Sequence, residues 1–363
     1  MIRTSFLLPL FQTVVRDRFI YFTTFAIFSI SVAILYQYDL TDNIVISHYL
    51  AFFFSAIKYS IAVYLVCYYF YLITKREPRP TRAYLHAIKR VFVKWYEIVN
   101  LLFIIIAISF CFSSFTAIKQ SIPYIVPFYL DDLLIKLDYL MHFNSHPWEL
   151  THYLFSGQVW SMVINFLYNV WFLILWFFLV TILISVSKPQ RPTIIISFLL
   201  CWFINGNILA ILLSSVGPVF YGNLVDGSTP YSELMTMLYQ QHELLIESDA
   251  YITLWALTTQ EALWATHLAA ENNIGAGISA MPSMHVSIAV MMALACSSLN
   301  KKLGVVMWLF AGMIMIGSVH LAWHYALDGY VSFITTTLIW KTVGYFCRKP
   351  SLQQDRRFIP VSQ

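Results

Sequence analysis

The chain has 363 residues, of which 59% are hydrophobic and only 11% are charged. A soluble globular domain carries about 25% charged residues, so this composition excludes an ordinary soluble protein and indicates an integral membrane protein. The formal net charge is only +4, and the basic residues lie mostly in loops, where they suit anionic lipid headgroups. We therefore expect a lipid bilayer as the partner and no nucleic acid.

Eight apolar stretches approach the roughly 20 residues needed to cross the ~30 Å hydrocarbon core of a bilayer. They are residues 19–38, 47–73, 97–118, 159–187, 193–216, 283–299, 303–322 and 325–346. Residues 5–15 are apolar but short and precede a charged Arg16-Asp17-Arg18 run, which predicts a helix in the membrane interface rather than a cleaved signal. The sequence predicts an all-α polytopic membrane protein with about eight transmembrane helices.

Basic residues are distributed unequally between the two sets of loops. All but three of the 22 lysines and arginines lie in the N-terminus, the 74–96 loop, the 188–192 and 300–302 turns, and the tail from Lys341. The segment 217–281, on the other side, contains none. By the positive-inside rule, both termini are predicted to be cytoplasmic.

Two long segments connect spans on the side opposite the basic loops. In residues 119–158, five apolar residues recur at helical spacing opposite three aspartates: Leu130, Leu133, Leu134, Leu137 and Met141 opposite Asp131, Asp132 and Asp138. This pattern predicts an amphipathic helix on the outer membrane surface. Residues 217–281 contain two further helical patterns, near 231–246 and 250–270. Because connections of this length are commonly lids, we expect an extracytoplasmic helical cap.

The stretch "SAMPSMHVSIAV", residues 279–290, places a histidine in the first turn of an apolar span. Pro282 suits a helix start, Ser283 suits the N-cap region, and the free N–H groups of such a turn favour a phosphate. His285 could then donate a proton to the bound anion. The alternative is that Pro282 and Ser283 only start the helix and His285 extends to the membrane interface.

A second stretch, "GSVHLAWHYALDGYVS", spans residues 317–332. His324 and Asp328 are four residues apart and share one face of a helix, so the carboxylate can accept the Nδ1 proton and leave Nε2 as nucleophile or base. The pair could instead be purely structural. His320 lies four residues earlier, and this spacing could also ligate a metal together with His285, as in an intramembrane metal-dependent hydrolase.

The predicted topology brings these stretches to one side of the membrane. Counted from a cytoplasmic N-terminus, the span ending at Gly217 and the span beginning at Ser283 both meet the outer face. The segment from His324 to Asp328 reaches the same face. A shared extracytoplasmic site is therefore expected.

The quoted motifs "AMPSMH" and "SVHLAWHYALD", with "GPVFYG" upstream, resemble the type 2 phosphatidic acid phosphatase superfamily. More narrowly, they resemble the branch of inositolphosphorylceramide synthase and its bacterial relatives, as does the segment "LDYLMHFNSHPWEL". The likeness covers roughly residues 100–346. It implies a six-helix phosphatase-type core, a lipid phosphate or phosphodiester substrate, no metal or other cofactor, and a bacterial inner membrane.

We accordingly expect three parts in the chain. Residues 1–96 would contain the interfacial helix, two transmembrane helices and a basic cytoplasmic loop. Residues 97–346 would form the phosphatase-like core, with the cap segments 119–158 and 217–281 inserted in it. Residues 347–363 would be a cytoplasmic tail.

Carried over residue by residue, the resemblance makes His324 the nucleophile that forms a phosphohistidine. Asp328 would orient it, and His285 would protonate the leaving oxygen. Ser283 and the neighbouring amides, including that of Met284, would hold phosphoryl oxygens. These roles suit phosphoryl transfer, which requires in-line positioning and stabilisation of the equatorial oxygens. An acceptor alcohol could take the place of water.

The sequence departs from the superfamily pattern of Lys-x6-Arg-Pro, Pro-Ser-Gly-His and Ser-Arg-x5-His-x3-Asp. Met284 stands in place of the glycine, and Ser318 stands in place of the arginine of the third motif. The Arg-Pro pairs at 79–80 and 191–192 lie on the predicted cytoplasmic side.

Other residues must therefore supply the phosphate contacts. The candidates are the amides at the helix start, Tyr221, Ser318 and His320, or Lys119 or Lys136 folded inward. Loss of the arginines also favours an alternative function, a non-enzymatic lipid transporter or binding protein whose polar cavity recognises a headgroup. The remaining histidines of the outer segments are expected at the surface or interface: His142, His146, His152, His242 and His267.

Overall fold

The computed structural model describes residues 2–185, 187–224, 229–269 and 277–348, and all regular structure in these ranges is helical. The predicted all-α class is confirmed. The helices are α1 (Ile2–Arg16), α2 (Arg18–Gln37), α3 (Ile46–Thr74), α4 (Pro80–Val93), α5 (Trp95–Ile125), α6 (Asp131–Met141), α7 (Pro147–Leu154), α8 (Gln158–Ile184), α9 (Arg191–Phe203), α10 (Ala210–Leu212), α11 (Pro218–Leu224), α12 (Ser232–Glu247), α13 (Trp255–Leu268), α14 (Met284–Leu299), α15 (Lys301–His320) and α16 (Ala326–Arg348). A 3₁₀ turn, Thr41–Asn43, precedes α3, and a π-helical turn, Ile204–Leu209, joins α9 to α10.

Six described segments are long and apolar enough to cross a bilayer. They are Arg18–Gln37, Thr41–Thr74, Trp95–Ile125, Gln158–Ile184, Arg191–Leu212 and Lys301–His320. The two other predicted spans are also helices, namely α14 and α16. Helix α14 is apolar but has only 16 residues, a length of about 24 Å. The protein is a multi-pass membrane protein.

Helix α14 lies at the centre of the core. Every residue from Val286 to Ala293 is buried, and the helix packs against α8, α9, α15 and α16. A helix that is apolar on all sides is expected in such a position. A single residue, Asn300, connects α14 to α15, and its side-chain oxygen accepts the N–H groups of Lys302 and Leu303. This cap ends one helix and starts the next within one turn.

A buried charge network attaches the N-terminal helices to the core. Helix α2 packs against α5 and α9, and at its start the Arg191 guanidinium donates to the Asp17 carboxylate at 2.7 Å. Asn100 donates to the same carboxylate at 2.7 Å, and Arg16 pairs with Glu97 at 2.7 Å. Both Asp17 and Arg191 are buried. Arg191 compensates the Asp17 charge together with Arg16, whose guanidinium also pairs with the Asp17 carboxylate at 3.0 Å.

Two of the three aspartates of α6 point into the protein and only Asp132 is exposed, which differs from the polar outer face expected from the pattern. Asp131 and Asp138 are buried, whereas Leu133, Leu137 and Met141 are exposed. The physical reason is that these carboxylates accept backbone N–H groups of the core, as described below.

The two helices expected in the second long segment are α12 and α13, and both pack onto α8. Residues 225–228 and 270–276 of that segment lie outside the described residues. The same applies to residues 349–363 of the predicted tail.

We expect Arg191→Met to lower the free energy of unfolding by about 1.5–3 kcal/mol, because the buried Asp17 carboxylate loses one of its two cationic partners and keeps only Arg16, at 3.0 Å. The control Lys302→Met removes an exposed charge and should change it by less than about 0.5 kcal/mol. The measurement is denaturant unfolding of the detergent-purified protein. Equal effects of both substitutions would contradict a structural role for the network.

Candidate active site

Three distant motif stretches meet at one end of the core. Gly217 adopts φ +88°, and a Cβ added there would lie 2.8 Å from the Ala280 Cβ and 3.2 Å from the Trp323 carbonyl oxygen. Only glycine tolerates both that φ and that approach. Next to it, the Val219 N–H donates to the Ala322 carbonyl at 3.1 Å. The "GPVFYG", "AMPSMH" and "SVHLAWHYALD" stretches are thus in direct contact.

His324 lies in the tight turn between α15 and α16 and is hydrogen-bonded to Asp328. Its Nδ1 donates to Oδ2 of Asp328 at 3.2 Å, and the Tyr325 N–H donates to the same oxygen at 3.1 Å. The backbone N–H of His324 also donates to the Ser318 carbonyl at 2.9 Å. Since a carboxylate holds the Nδ1 proton, the neutral ring presents its lone pair at Nε2.

The first turn of α16 is capped by two carboxylates. Asp138 of α6 accepts the N–H groups of Ala326 at 2.7 Å and Leu327 at 3.0 Å. Asp328, at the third position of α16, reaches back to the Tyr325 N–H, as the acidic residue of a capping box does. The helix start that carries Asp328 is therefore fixed by one carboxylate of α6 and one of α16 itself.

The second buried aspartate of α6 fixes the neighbouring turn. The Asp131 carboxylate accepts the N–H groups of Val216 and Gly217, each at 3.0 Å. It also accepts the Tyr325 hydroxyl at 2.8 Å. Seven residues, two helical turns, separate Asp131 from Asp138, so both face the same side. This spacing is a signal in the sequence for two inward-facing carboxylates, although the pattern of the segment predicted them on a polar outer face.

Burial changes the proton affinity of both aspartates. It raises the pKa of Asp138 to about 6, although the two N–H groups that it accepts act in the opposite direction. Burial likewise raises the pKa of Asp131 against the effect of its N–H donors. Desolvation therefore outweighs hydrogen bonding at both carboxyls.

His285 lies among aromatic side chains of α8. The ring centroids of Tyr168 and Trp171 lie 4.6 and 4.3 Å from that of His285, and Phe172 contacts the imidazole edge-on at 5.6 Å. The Trp171 indole N–H donates to the His285 carbonyl at 3.0 Å. Their spacing places these three aromatics on one helix face. This spacing is visible in the sequence, although the histidine motifs do not include it. Helix α8 therefore sets the orientation of the imidazole.

The two histidines of the separate motifs are neighbours in space. The ring centroids of His285 and His324 lie 6.4 Å apart, with their planes at 58°. The Nε2 atom of His285 is buried and has no hydrogen-bond partner among the described residues. The adjacent imidazoles can therefore contact one small anionic group between them.

Three residues predicted to bind phosphate lie close to this pair, in different orientations. Ser283 caps α14, since its hydroxyl accepts the Val286 N–H at 3.4 Å, and its own N–H donates to the Asp328 carbonyl at 3.3 Å. Met284 is partly exposed at the first position of α14. The Ser318 hydroxyl donates to the Met315 carbonyl at 2.7 Å, so its proton is engaged within its own helix.

His320 and Tyr221 are engaged elsewhere. The fully buried His320 hydrogen-bonds through Nε2 to the Ser161 hydroxyl at 2.8 Å and stacks on His152 at a centroid distance of 3.6 Å. His152 is also buried, so its expected surface position is wrong. The Tyr221 hydroxyl donates to Asp132 at the exposed edge of α6. The structure thus does not bring His320 or Tyr221 to the histidine pair.

The two candidate cations differ in position. Lys136 is exposed on α6, whereas Lys119 is partly buried near the end of α5 and lies close enough to His285 for their charges to interact. Lys119 is therefore the better placed of the two for an anion at this site.

The metal alternative loses its geometric basis. Among the described ranges, His, Cys, Asp and Glu side chains do not form a group of three that could hold a metal ion. The ring of His320 points to Ser161, which separates it from His324 and Asp328.

The fold and this site together define the class as a polytopic, all-helical membrane protein with paired histidines beside a helix start. The family model of the PAP2 superfamily matches residues 132–342, more than half of the chain, so the protein belongs to that superfamily. Membership supports a phosphatase-type activity on lipid phosphates in a bilayer. Neither a curated protein nor a solved structure matches the chain.

We expect Asp138→Ala to lower the free energy of unfolding by about 1–2 kcal/mol, because two buried N–H groups of α16 lose their acceptor. The matched control Asp132→Ala, on the exposed side of the same helix, should change it by at most about 0.5 kcal/mol. Chemical denaturation in detergent measures both. A smaller effect for Asp138→Ala than for the control would contradict the cap.

Burial lowers the pKa of His152 below its ordinary value of 6.5, an effect only partly opposed by the hydrogen bond to His320. Below about pH 6.5 the unfolded chain therefore binds a proton on His152 that the folded protein does not, and stability falls with acidification. We expect His152→Gln to reduce the loss of melting temperature between pH 7.5 and pH 5, as measured by thermal unfolding. The exposed control His86→Gln should leave that loss unchanged.

Proposed function

We propose that this protein is an integral membrane phosphatase or phosphotransferase that acts on a lipid phosphate or phosphodiester through a phosphohistidine. The observation that carries the proposal is the 6.4 Å separation of the His285 and His324 rings, with Asp328 on the Nδ1 side of His324. A nucleophile and an acid on either side of one phosphoryl group need such proximity.

In the proposed reaction, His324 Nε2 attacks phosphorus and the bond from phosphorus to the leaving oxygen breaks. Protonated His285 gives its proton to that oxygen. Water or an acceptor alcohol then attacks the phosphohistidine, His285 takes the proton of the attacking hydroxyl, and His324 is released unmodified. Asp328 keeps Nδ1 protonated in the starting state and balances the charge that develops on the ring.

The phosphoryl oxygens are proposed to bind at the start of α14. The amide of Met284 belongs to a first turn whose N–H groups point out of the helix, and the helix dipole favours an anion there. Ser283 fixes this turn through its cap and its link to Asp328. Lys119, whose charge interacts with His285, would supply the cation that the superfamily's arginines supply elsewhere.

We further propose that the site opens to the extracytoplasmic side of a bacterial inner membrane, with both termini cytoplasmic. The distribution of lysine and arginine supports this orientation. Residues 97–346 would be the catalytic core and 1–96 an accessory unit, with the segments 119–158 and 217–281 as the cap. The motif "AMPSMH", with methionine in place of glycine, supports the inositolphosphorylceramide synthase-like branch.

The test is turnover of a panel of lipid phosphates and phosphodiesters by the purified protein, with mass-spectrometric detection of products. We expect His324→Ala to lower kcat by about 10³-fold or more. Asp328→Asn should lower kcat by about 10²-fold or more. Vanadate should inhibit the wild type, and chelators should not. His86→Gln, an exposed histidine, is the matched control.

Retention of activity in His324→Ala would overturn the mechanism, and chelator-sensitive turnover would favour a metal-dependent one. Lipid binding without turnover by the wild type would instead support a non-enzymatic lipid transporter or binding protein. An alcohol-linked product rather than free phosphate would identify a transferase.

A further inference from the structure

The π-helical turn Ile204–Leu209 contacts both α14 and α16, the two helices that begin at the histidine pair. A π turn inside a helix is rare and frequently accompanies a functional site. Here it brings Asn205, Gly206 and Asn207 into the core, where all three are buried. Polar residues at this depth in a membrane protein require partners or a task.

Asn205 links the two helices that carry the catalytic residues. Its side-chain Nδ2 donates to the Ser287 hydroxyl of α14 at 2.8 Å and to the Thr336 hydroxyl of α16 at 3.2 Å. The two hydroxyls also bond to each other at 2.8 Å. All three residues are completely buried. They form a closed three-helix junction.

The backbone of the same turn contacts the first turn of α14. A Cβ added to Gly206 would lie 3.2 Å from the Met284 Sδ and 2.5 Å from the Phe115 ring. Glycine therefore lets the π turn approach the residue that precedes His285.

The junction is continuous with the active site along both helices. On α14, Ser287 is one turn below Ser283, and its N–H donates to the Ser283 carbonyl at 2.9 Å. On α16, Thr336 is two turns below Asp328. Between them, the Ser332 hydroxyl contacts the carbonyl oxygens of Asp328 at 2.7 Å and Ser283 at 2.9 Å. Two layers of hydrogen bonds thus hold α14 and α16 in one register.

We propose that Asn205 is a positioning residue that fixes the register of α14 against α16, so that His285 and His324 face the same phosphoryl group. This inference rests on the proposed function. Hydrogen bonds between membrane helices are modest in strength, but misplacing reacting groups by about 1 Å can cost about 10²-fold in rate. Loss of the junction should therefore affect turnover more than folding.

The test compares Asn205→Leu, Thr336→Val and Thr336→Ser in the full-length protein. Leucine nearly matches asparagine in shape and leaves the Ser287–Thr336 bond in place, so the fold should survive. We expect kcat to fall about 10-fold in Asn205→Leu and Thr336→Val, with KM and melting temperature nearly unchanged. Thr336→Ser keeps the hydroxyl and should restore kcat. The matched control is Thr337→Val, whose exposed hydroxyl bonds only within α16.

A second pair of variants probes the backbone contact without altering a hydrogen bond. Gly206→Ala should displace the Phe115 ring, crowd Met284 and lower kcat, whereas Gly312→Ala on α15, which has open space around it, should not. If the Asn205 and Thr336 variants turn over at the wild-type rate, or lose kcat only in proportion to melting temperature, the positioning role is wrong. Absence of turnover by the wild type would overturn the proposed function, and this inference with it.

Discussion

The site depends on the hydrogen bonds of one buried side chain, the carboxylate of Asp328. One carboxylate oxygen accepts from both the His324 ring and the Tyr325 backbone N–H. The backbone carbonyl of Asp328 accepts the Ser283 N–H. A carboxylate in an apolar bundle is tolerated only with such partners, because desolvation penalises the charge. The same set of bonds joins the start of α16, the turn after α15 and the start of α14. Asp328 therefore holds His324 through its carboxylate and the start of α14, which carries His285, through its backbone carbonyl.

The other buried acids repeat this arrangement in less obvious places. Asp138 and Asp131 accept the buried N–H groups of a helix start and of a turn, which have no partner within their own helix. Asp17 and Arg191 compensate each other where the N-terminal helices join the core. In each case the buried acid is stabilised by hydrogen bonds from backbone N–H groups or by an opposite charge. The apolar helices supply the bundle, and these contacts specify how its pieces meet.

Much of the fold could be predicted from the sequence. Runs of apolar residues predicted all eight long core and N-terminal helices, since their length and composition are local properties of the chain. The motif residues His285, His324 and Asp328 were identified by type and spacing, and the structure brings them together. The residues that contact phosphate were harder to predict from the sequence. His320 and His324 have the spacing of one helix face, but α15 ends at His320, and the His320 ring bonds to Ser161. Helical spacing does not extend across a break in the helix.

The sequence by itself determined that the protein crosses a membrane, and it determined which residues could carry chemistry. These conclusions rest on hydropathy, charge and residue type, which need no knowledge of distant contacts. Only the tertiary structure decided that Asp131 and Asp138 of α6 point inward, that α8 aromatics orient His285, and that a π turn joins α14 to α16. These features depend on which remote N–H group, ring or hydroxyl a side chain meets after the helices have packed. The spacing of these residues is visible in the sequence, but the partner that each one meets is not.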